Sequence, residues 1–386
     1  MVDIDMKNFI FCNPTKLIFG QGSIKEISKQ IPQGSKILLT YGGGSIIKNG
    51  IYDQVISQLT GYEIIPFGGI ESNPDAATID RAIATARDEK CTFILAVGGG
   101  SVIDASKAIA MGVKAPMNCW EMVTTYYRGK CLPLGTVLTV PATGSEMNPG
   151  AVISNRATQE KFSMVGEHPV FSILDPTYTY TLSQHQVACG IADAFMHTLE
   201  QYLTFPGQSG VMDRMAEGLL LNILEIAPRL IQDHTDYDTA CEYMLSATFG
   251  LNYFLAMGVE EDWLTHRLGH ELTALAGVTH GASLMMLLPS VMRIMLPEKR
   301  DKIIQMGRRV FGISGLDNDA TVQATMQAVE KFIHSLGLAS SMKEGQIASE
   351  VAEEMIRRFH QRGTPLGTLE SATPDKIQLI IEDSMK

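Results

Sequence analysis

Short apolar runs alternate with longer helical patterns through the first half of the chain. The apolar runs have the length of strands, are rich in β-formers, and span residues 36–41, 63–67, 92–97 and 135–140. Between several of them, apolar positions recur at helical spacing in residues 45–59, 76–89 and 101–111. This alternation predicts an α/β domain built on a parallel sheet that is covered on both faces.

The second half of the chain has a different pattern, in which almost nothing resembles a strand. Ser183 is a good helix N-cap, and apolar residues recur at helical spacing from there to Leu203. Further helical segments are predicted at residues 213–230, 236–255, 263–276, 300–311, 320–336, 346–359 and 374–385. We therefore expect an α/β domain at residues 1–181, followed by an all-helical domain at residues 182–386.

Composition narrows the possible partners and the compartment. The chain has 386 residues and a formal net charge of -11, without the clustered basic residues that nucleic acid or an anionic membrane would require. The first residues are acidic, and no apolar stretch approaches the roughly 20 residues of a membrane span, which predicts a cytoplasmic protein. The six scattered cysteines form no CxxC pair and are expected to be reduced core residues.

Two glycine-rich turns, at residues 41–45 and 97–101, each close a predicted strand and open a predicted helix. Such turns let the backbone approach a phosphate, and the N–H groups at the helix start favour an anion. Asp104 and Lys107 lie one and two turns further along the second helix. The alternative is that the glycines only solve a steric problem. Neither turn has the GxGxxG or GxxxxGK[ST] spacing.

The first turn also bears on the choice between NAD and NADP. A site that selects NAD usually offers an acidic residue to the ribose 2′-hydroxyl. Residues 42–45 contain no carboxylate, and Lys48 follows closely, which suits an additional 2′-phosphate and favours NADP. A third polar segment, at residues 139–150, follows a predicted strand and is either a cofactor-binding loop or an ordinary polar loop.

Metal-ligand chemistry is indicated by one carboxylate and several histidines. Asp193 and His197 are four residues apart on a predicted helix and therefore share a face. A single DxxxH pair is more often structural than metal-binding. Downstream, His266 and His270 repeat the same spacing, whereas His280 lies past Gly277, so that spacing alone offers three histidines for two places.

Taken together, these segments resemble the iron-containing (group III) alcohol dehydrogenases, in the branch of NADP(H)-dependent aldehyde reductases and butanol dehydrogenases. The resemblance covers nearly the whole chain, and it is carried by residues 13–20, 41–45, 98–104, 141–146, 174–176, 193–197 and 266–280. It implies a Rossmann-like, nucleotide-binding N-terminal domain and a helical, metal-binding C-terminal domain. The implied reaction is hydride transfer between NADP(H) and a small aldehyde or primary alcohol.

The resemblance also implies roles for individual residues. The metal, Fe²⁺ or Zn²⁺, would be held by Asp193, His197, His266 and His280, with His270 beside the site as a proton-handling or substrate-lining residue. Asp104 would line the cofactor and is, with His270, a candidate catalytic residue. The other implied cofactor-binding positions are Gly43, Gly44, Ser45, Asn73, Gly99, Gly100, Ser101, Thr139, Thr143, Ser145, Asn148 and Lys161.

Two other kinds of function remain open at this point. Glycerol dehydrogenase-like and dehydroquinate synthase-like enzymes share the architecture, and fold does not fix function. A non-catalytic nucleotide-binding protein with a structural metal is also conceivable, although structural zinc sites are usually rich in cysteine. By analogy with the family we expect a homodimer, in which residues 8–12 could serve as an edge strand.

Overall fold

A computed structural model describes residues 6–386, which fold into two compact units. The sheet unit consists of residues 12–183 and 234–248, and the helical unit consists of residues 184–233 and 249–386 together with the described residues 6–11. All six cysteines are free. Among the described residues, no helix combines the length and the apolar character that a membrane crossing would need.

The sheet unit contains a six-stranded parallel sheet in the order β1-β8-β5-β4-β2-β3, and β6 pairs with β7 in a separate antiparallel hairpin. The strands are β1 Lys16–Phe19, β2 Lys36–Tyr41, β3 Glu63–Phe67, β4 Phe93–Gly98, β5 Leu134–Leu138, β6 Gly150–Asn155, β7 Glu160–Val165 and β8 Phe171–Leu174. The sequence predicted the four strands β2, β3, β4 and β5. It missed β1 and β8, which have only four residues each, and the hairpin.

Alternate residues of the central strands fill two hydrophobic cores, one on each face of the sheet. Leu38 and Ile94 belong to the core on one face, and Leu39 and Leu95 belong to the core on the other. The helices of this unit are α1 Ser45–Lys48, α2 Ile51–Gln58, α3 Ala76–Asp88, α4 Gly100–Gly112 and α5 Cys119–Thr124. Both faces are therefore covered, as the alternation of strands and helices predicts.

The segment 45–59 is two helices and not the single predicted one. Gly50 separates α1 from α2 with a φ of 77°, a left-handed conformation that glycine adopts without steric cost. Asn49 ends α1 one residue earlier. The apolar periodicity continues across the break, which explains why the pattern alone predicts one helix.

The helical unit is built from long helices. They are α6 Gln184–Tyr202, α7 Gly210–Gln232, α9 Leu264–Ala276, α10 His280–Ile294, α11 Leu296–Arg309, α12 Asn318–Ser335, α13 Ser349–Arg362 and α14 Pro374–Ser384. Helix α10 was not predicted because it is buried at every position from Gly281 to Met292, and an apolar run of that kind has no helical periodicity. It packs into a core with α9, α13 and α14.

Helix α8, Tyr237–Gly250, follows the predicted boundary at 181/182, yet most of it belongs to the sheet unit. Its Tyr243 hydroxyl donates to the carbonyl of Pro141 at 2.5 Å, and its Thr248 hydroxyl donates to the Glu146 carboxylate at 2.6 Å. At the other end of the chain, Lys7 N–H donates to Gly258 O at 2.9 Å within the helical unit. A single division at 181/182 therefore does not describe these two segments.

Candidate metal centre and nucleotide-binding edge

Helix α6 presents a buried polar face inside the helical unit. Asp193, His197 and Glu200 follow at the i, i+4 and i+7 positions, so one face of the helix carries all three, and each is at most 4 % exposed. The remaining turns of α6 from Val187 onward are also buried. Since buried charges need partners, this face must be matched by groups on other helices.

Those groups are His266 on α9 and His280 on α10, which join His197 of α6 around Asp193. The Nε2 atoms of His197, His266 and His280 lie 3.7, 3.6 and 3.7 Å from Asp193 Oδ1. Among the described residues, the ligand atoms of Asp193, His266 and His280 form a group in which all lie within 4.8 Å of one another. The fold therefore brings together all four residues that the resemblance assigns to the metal.

Glu200 orients His266 and was missed by the sequence analysis. Its carboxylate accepts from His266 Nδ1, from Thr265 N at 2.6 Å and from His266 N at 3.2 Å. With Nδ1–H directed at a carboxylate, the neutral form of the imidazole has its lone pair on Nε2, on the side of Asp193. The available signal was its position seven residues after Asp193, on the same helical face.

Charge at this site favours a cation. Burial opposes ionisation of Asp193, but His197, His280 and His266 outweigh it and hold the pKa of Asp193 far below its usual range. Burial likewise lowers the pKa of His266, and the carboxylates of Glu200 and Asp193 overcome this and raise it to about 9. Two buried carboxylates thus stabilise positive charge at the point where the histidines meet.

The donor set fits a divalent metal ion. Within residues 6–386, Asp193 Oδ1 and His266 Nε2 are buried and make no hydrogen bond, although buried polar atoms normally have partners. These atoms face each other at 3.6 Å, the separation at which both can bind one cation. One carboxylate oxygen with imidazole nitrogens is a set that suits Fe²⁺ or Zn²⁺.

His270 lies beside this group. Its ring centroid is 5.1 Å from that of His280 and 6.4 Å from that of His266, and the residue is 9 % exposed. The spacing of His266 and His270 would have paired these two as ligands. In the structure His280, the first residue of α10, stands in the group with Asp193 and His266.

The predicted cofactor residues gather at one edge of the parallel sheet. Residues 42–45 follow β2, residues 99–101 follow β4, and residues 139–145 follow β5, and these three strands are neighbours. The chain order reverses between β2 and β4, because β3 lies beyond β2 while β5 lies beyond β4. Ligands of open α/β sheets bind outside the carboxyl ends of the strands at such a switch point.

The glycines of the two turns serve different purposes. Gly44 has a φ of 95°, and a Cβ added at Gly43 or Gly44 would meet nothing within 4 Å, so this turn is open to a ligand. An added Cβ at Gly99 would lie 2.8 Å from Val140, and one at Gly100 would lie 2.5 Å from Thr143. The turn at residues 97–101 therefore needs glycine for its packing against the polar segment at residues 139–150. This agrees with the alternative that the glycines solve a steric problem.

Three of the predicted cofactor residues are joined by hydrogen bonds. Asn73 adopts a left-handed φ of 54° and donates its backbone N–H to Ser101 Oγ at 3.2 Å. Lys161, on β7, donates to Asn73 Oδ1 at 2.8 Å. Since Ser101 is in the first turn of α4, the hairpin, the loop before α3 and the second glycine turn are tied together at one place.

Asp104 is engaged inside the sheet unit. It accepts from Ser145 Oγ at 2.6 Å and from Val152 N at 2.9 Å, and burial raises its pKa. Lys107 donates to Ser145 Oγ at 2.7 Å and to Gly150 O at 2.6 Å, and burial lowers its pKa to about 8. Both oxygens of Asp104 thus hold the segment after β5 in place, which is a positioning role.

The remaining predicted cofactor residues of the polar segment at residues 139–150 are Thr139, Thr143 and Asn148. Thr139 N donates to Gly98 O at 3.0 Å, which continues the pairing of β5 with β4. Thr143 Oγ1 accepts from Ser145 N at 3.2 Å, and the side-chain amide of Asn148 donates to Gly144 O at 2.9 Å. These contacts shape the loop from within.

Comparison with known proteins places the chain in one family. Residues 14–176 match the family described as iron-containing alcohol dehydrogenase, and residues 187–385 match the C-terminal part of the Fe-containing alcohol dehydrogenase family. The NADPH-dependent aldehyde reductase YqhD of Escherichia coli K12 is 41 % identical, over 98 % of this chain and 99 % of that protein. NADH-dependent butanol dehydrogenase A of Clostridium acetobutylicum is 34 % identical, over 98 % and 100 %.

Solved structures agree with this placement. The crystal structure of E. coli YqhD superposes with a TM-score of 0.96 at 40 % identity, covering 99 % of this chain and 100 % of that one. An NADH-dependent butanol dehydrogenase from Thermotoga maritima superposes with a TM-score of 0.94 at 33 % identity, covering 99 % and 100 %. The chain belongs to the iron-containing alcohol dehydrogenase family.

Proposed function

We propose that this protein is a metal-dependent oxidoreductase that transfers a hydride between NADP(H) and a small aldehyde or primary alcohol. The observation that carries the proposal is the convergence of Asp193, His197, His266 and His280, with Asp193 Oδ1 and His266 Nε2 buried and facing each other at 3.6 Å. Within the family, 41 % identity to an NADPH-dependent aldehyde reductase supports this choice of reaction.

The four converging residues would hold the cation, and Glu200 would keep the Nε2 lone pair of His266 directed towards it. When bound, a divalent cation supplies Lewis acidity, which polarises a carbonyl group and stabilises the negative charge that develops on its oxygen. The protein's part is to fix these ligands in a buried, preorganised set, so that no reorganisation is needed when charge develops.

The carboxyl edge of β2, β4 and β5 would bind the dinucleotide. Gly43, Gly44 and Ser45 would face the adenosine 2′-phosphate, since the turn is open and its neighbour Lys48 is exposed. Gly99, Gly100 and Ser101, at the start of the 13-residue helix α4, would hold the diphosphate with free N–H groups. The other residues that the resemblance assigns to the cofactor site are Asn73, Asp104, Thr139, Thr143, Ser145, Asn148 and Lys161.

His270 is the proposed proton-handling residue. Its ring lies next to His280, and imidazole exchanges protons near neutral pH. Asp104, the second catalytic candidate, would act by holding Ser145 and the backbone of Val152. This makes Asp104 a positioning residue for the cofactor loop.

The two rival functions are less well supported. A sugar-phosphate substrate would call for several basic side chains near the metal ligands, and Arg267, the basic residue between His266 and His280 in the sequence, is exposed. A purely structural metal usually has a closed, cysteine-rich ligand set, whereas these ligands are nitrogen and oxygen atoms.

The test is NADPH oxidation with butanal, measured on metal-free protein and after reconstitution with Fe²⁺ or Zn²⁺. We expect turnover after reconstitution and its loss on chelation. Undiminished turnover by the chelated protein would contradict the proposal. A sugar-phosphate substrate in place of butanal distinguishes the synthase-like alternative.

A homodimer in the cytoplasm completes the proposal. Phe9, Ile10 and Phe11 are 49 %, 99 % and 39 % exposed, and such an apolar run is best covered by a second copy of the chain. The structure assigns no strand to residues 8–12 of the single chain, so an edge strand would form on pairing. The cytoplasmic location stays a prediction from the sequence.

A further inference from the structure

Trp263 has a backbone conformation that bulky residues rarely adopt. Its φ is 59° and its ψ is 12°, in the left-handed region, and it stands at the N-cap of α9. Its side chain provides no cap hydrogen bond for that helix. A strained conformation of this kind persists only where the surrounding structure enforces it, and such positions concentrate at functional sites.

The preceding residue enforces the conformation. Asp262 is 7 % exposed and forms an ion pair with Lys299. It also accepts from Leu264 N at 3.0 Å and from Thr368 Oγ1 at 2.9 Å. Its own N–H donates to Glu200 O at 2.9 Å. Because Asp262 is fixed on all these sides, the chain must turn at Trp263 before α9 can begin.

The turn places the indole against the candidate metal ligands. The ring centroid of Trp263 lies 5.2 Å from that of His266 with the planes at 77°, and 6.2 Å from that of His197 at 62°. Glu261, two residues earlier in the chain, carries a carboxyl group whose pKa burial raises to about 7. The backbone turn at Trp263 thus sets the position of the ring beside His266 and His197.

Trp263 differs chemically from the other rings around His266. His197, His280 and His270 contact it with centroids at 4.6, 5.4 and 6.4 Å, and all of these are polar imidazoles. The indole therefore supplies apolar surface directly beside the ligand set, and the residue is only half-buried. An alkyl chain attached to a carbonyl group requires such a surface.

We infer that Trp263 is a specificity-determining residue, a rigid wall of the aldehyde site that accepts unbranched aliphatic aldehydes and excludes those that are bulky next to the carbonyl carbon. This inference rests on the proposed function and specifies its substrate class. The wall acts by shape, so its removal should change the relative use of two aldehydes more than it changes metal binding.

The first experiment compares butanal with 2,2-dimethylpropanal in Trp263→Gly and Trp263→Phe. Glycine accepts the left-handed φ, so Trp263→Gly removes the ring while it retains the turn. We expect the ratio of kcat/KM for the branched over the linear aldehyde to rise at least about tenfold in Trp263→Gly and to change little in Trp263→Phe. Metal content should remain that of the unaltered protein.

Trp120→Phe is the matched control, because the chain has two tryptophans and Trp120 stacks on Phe162 in the sheet unit. It should leave the ratio unchanged. An unchanged ratio in a metal-loaded Trp263→Gly protein would overturn the inference. Should that variant lose its metal, the same comparison in Trp263→Leu decides, where an unchanged ratio again overturns it.

A second measurement does not depend on turnover. In the Trp120→Phe protein Trp263 is the sole tryptophan, so adding Co²⁺ to the metal-free form should quench its fluorescence with a stoichiometry of about one ion per chain. Unquenched emission would show that the indole is not beside the ion. If quenching occurs but the unaltered protein fails to reduce butanal, the proposed function fails while the placement of Trp263 stands.

Discussion

At the scale of single residues, the site depends on which atom of each side chain is free to bind. His266 has two ring nitrogens, and Glu200 binds one of them, so the other faces Asp193, where the cation is proposed to bind. The sequence identified His266 but offered no reason to prefer Nε2 to Nδ1. That choice follows from a carboxylate on a different helix, which spacing within α9 cannot indicate.

The roles of His280 and His270 are separable by substitution. We expect His280→Ala to lose most of its metal and its turnover, because the Nε2 atom 3.7 Å from Asp193 Oδ1 is removed. His270→Ala should retain the metal while kcat falls by about 10²–10⁴-fold, the usual contribution of a general acid. Metal content by elemental analysis and NADPH oxidation are measured on both.

His360→Ala, at an exposed residue whose ring contacts Gln378, controls for the loss of a histidine as such. The assignment would be wrong if His280→Ala kept both metal and turnover. Metal loss from His270→Ala would instead restore the pairing of His266 with His270 that bare spacing suggests.

At the scale of elements, glycine-rich turns that look alike in sequence differ in structure. The turn at residues 97–101 is packed against Val140 and Thr143, whereas the turn at residues 41–45 is open. We therefore propose that the open turn is where the protein distinguishes NADPH from NADH. One relative is NADPH-dependent and another is NADH-dependent, so cofactor preference differs within the family.

A carboxylate at the open turn should weaken the preference for NADPH. Ser45→Asp places a negative charge where the 2′-phosphate is proposed to bind, and a carboxylate can accept from the 2′-hydroxyl of NADH. We expect the ratio of kcat/KM for NADPH over NADH to fall at least about tenfold. Steady-state kinetics with both cofactors measure it.

Ile47→Asp is the control for that experiment, since Ile47 is 51 % exposed on the same short helix and the substitution adds the same charge. It should change the ratio much less. Equal ratios in Ser45→Asp and the unaltered protein would remove the proposed contact with the 2′-phosphate.

At the scale of the whole molecule, the family and the fold class predicted from the sequence are confirmed. The two compact units are not two consecutive segments of the chain. Helix α8 follows α7 in the sequence but packs with the sheet unit through Tyr243 and Thr248. Helical periodicity gives the length of such a helix but does not say which core its apolar face joins.

The proposed homodimer is tested by a substitution in the exposed apolar run of Phe9, Ile10 and Phe11. Ile10 is 99 % exposed, and Ile10→Asp would place a charge that is costly to desolvate in the proposed dimer interface. We expect the dissociation constant of the dimer to rise at least about tenfold, measured by sedimentation velocity. Val211→Asp is the control, because Val211 is also an exposed apolar residue, with an exposed fraction of 60 %. It should leave assembly unchanged. A monomeric unaltered protein would contradict the dimer.

The sequence alone determined the alternation of strands and helices and the chemical types of the candidate metal ligands. The strand and helix alternation follows from residue periodicity, and the kinds of ligand follow from the presence of Asp193 and the histidines. The four-residue strands β1 and β8 could not be predicted, because so short a run is stabilised by its neighbours in the sheet.

Tertiary structure alone decided which groups meet. It brought His280 and not His270 into the group with Asp193 and His266, added Glu200 as the partner of His266, and turned Trp263 against the ligand rings. It also directed both oxygens of Asp104 to internal hydrogen bonds. Each outcome depends on contacts between residues that are remote in sequence, and periodicity and spacing do not show which of these residues meet.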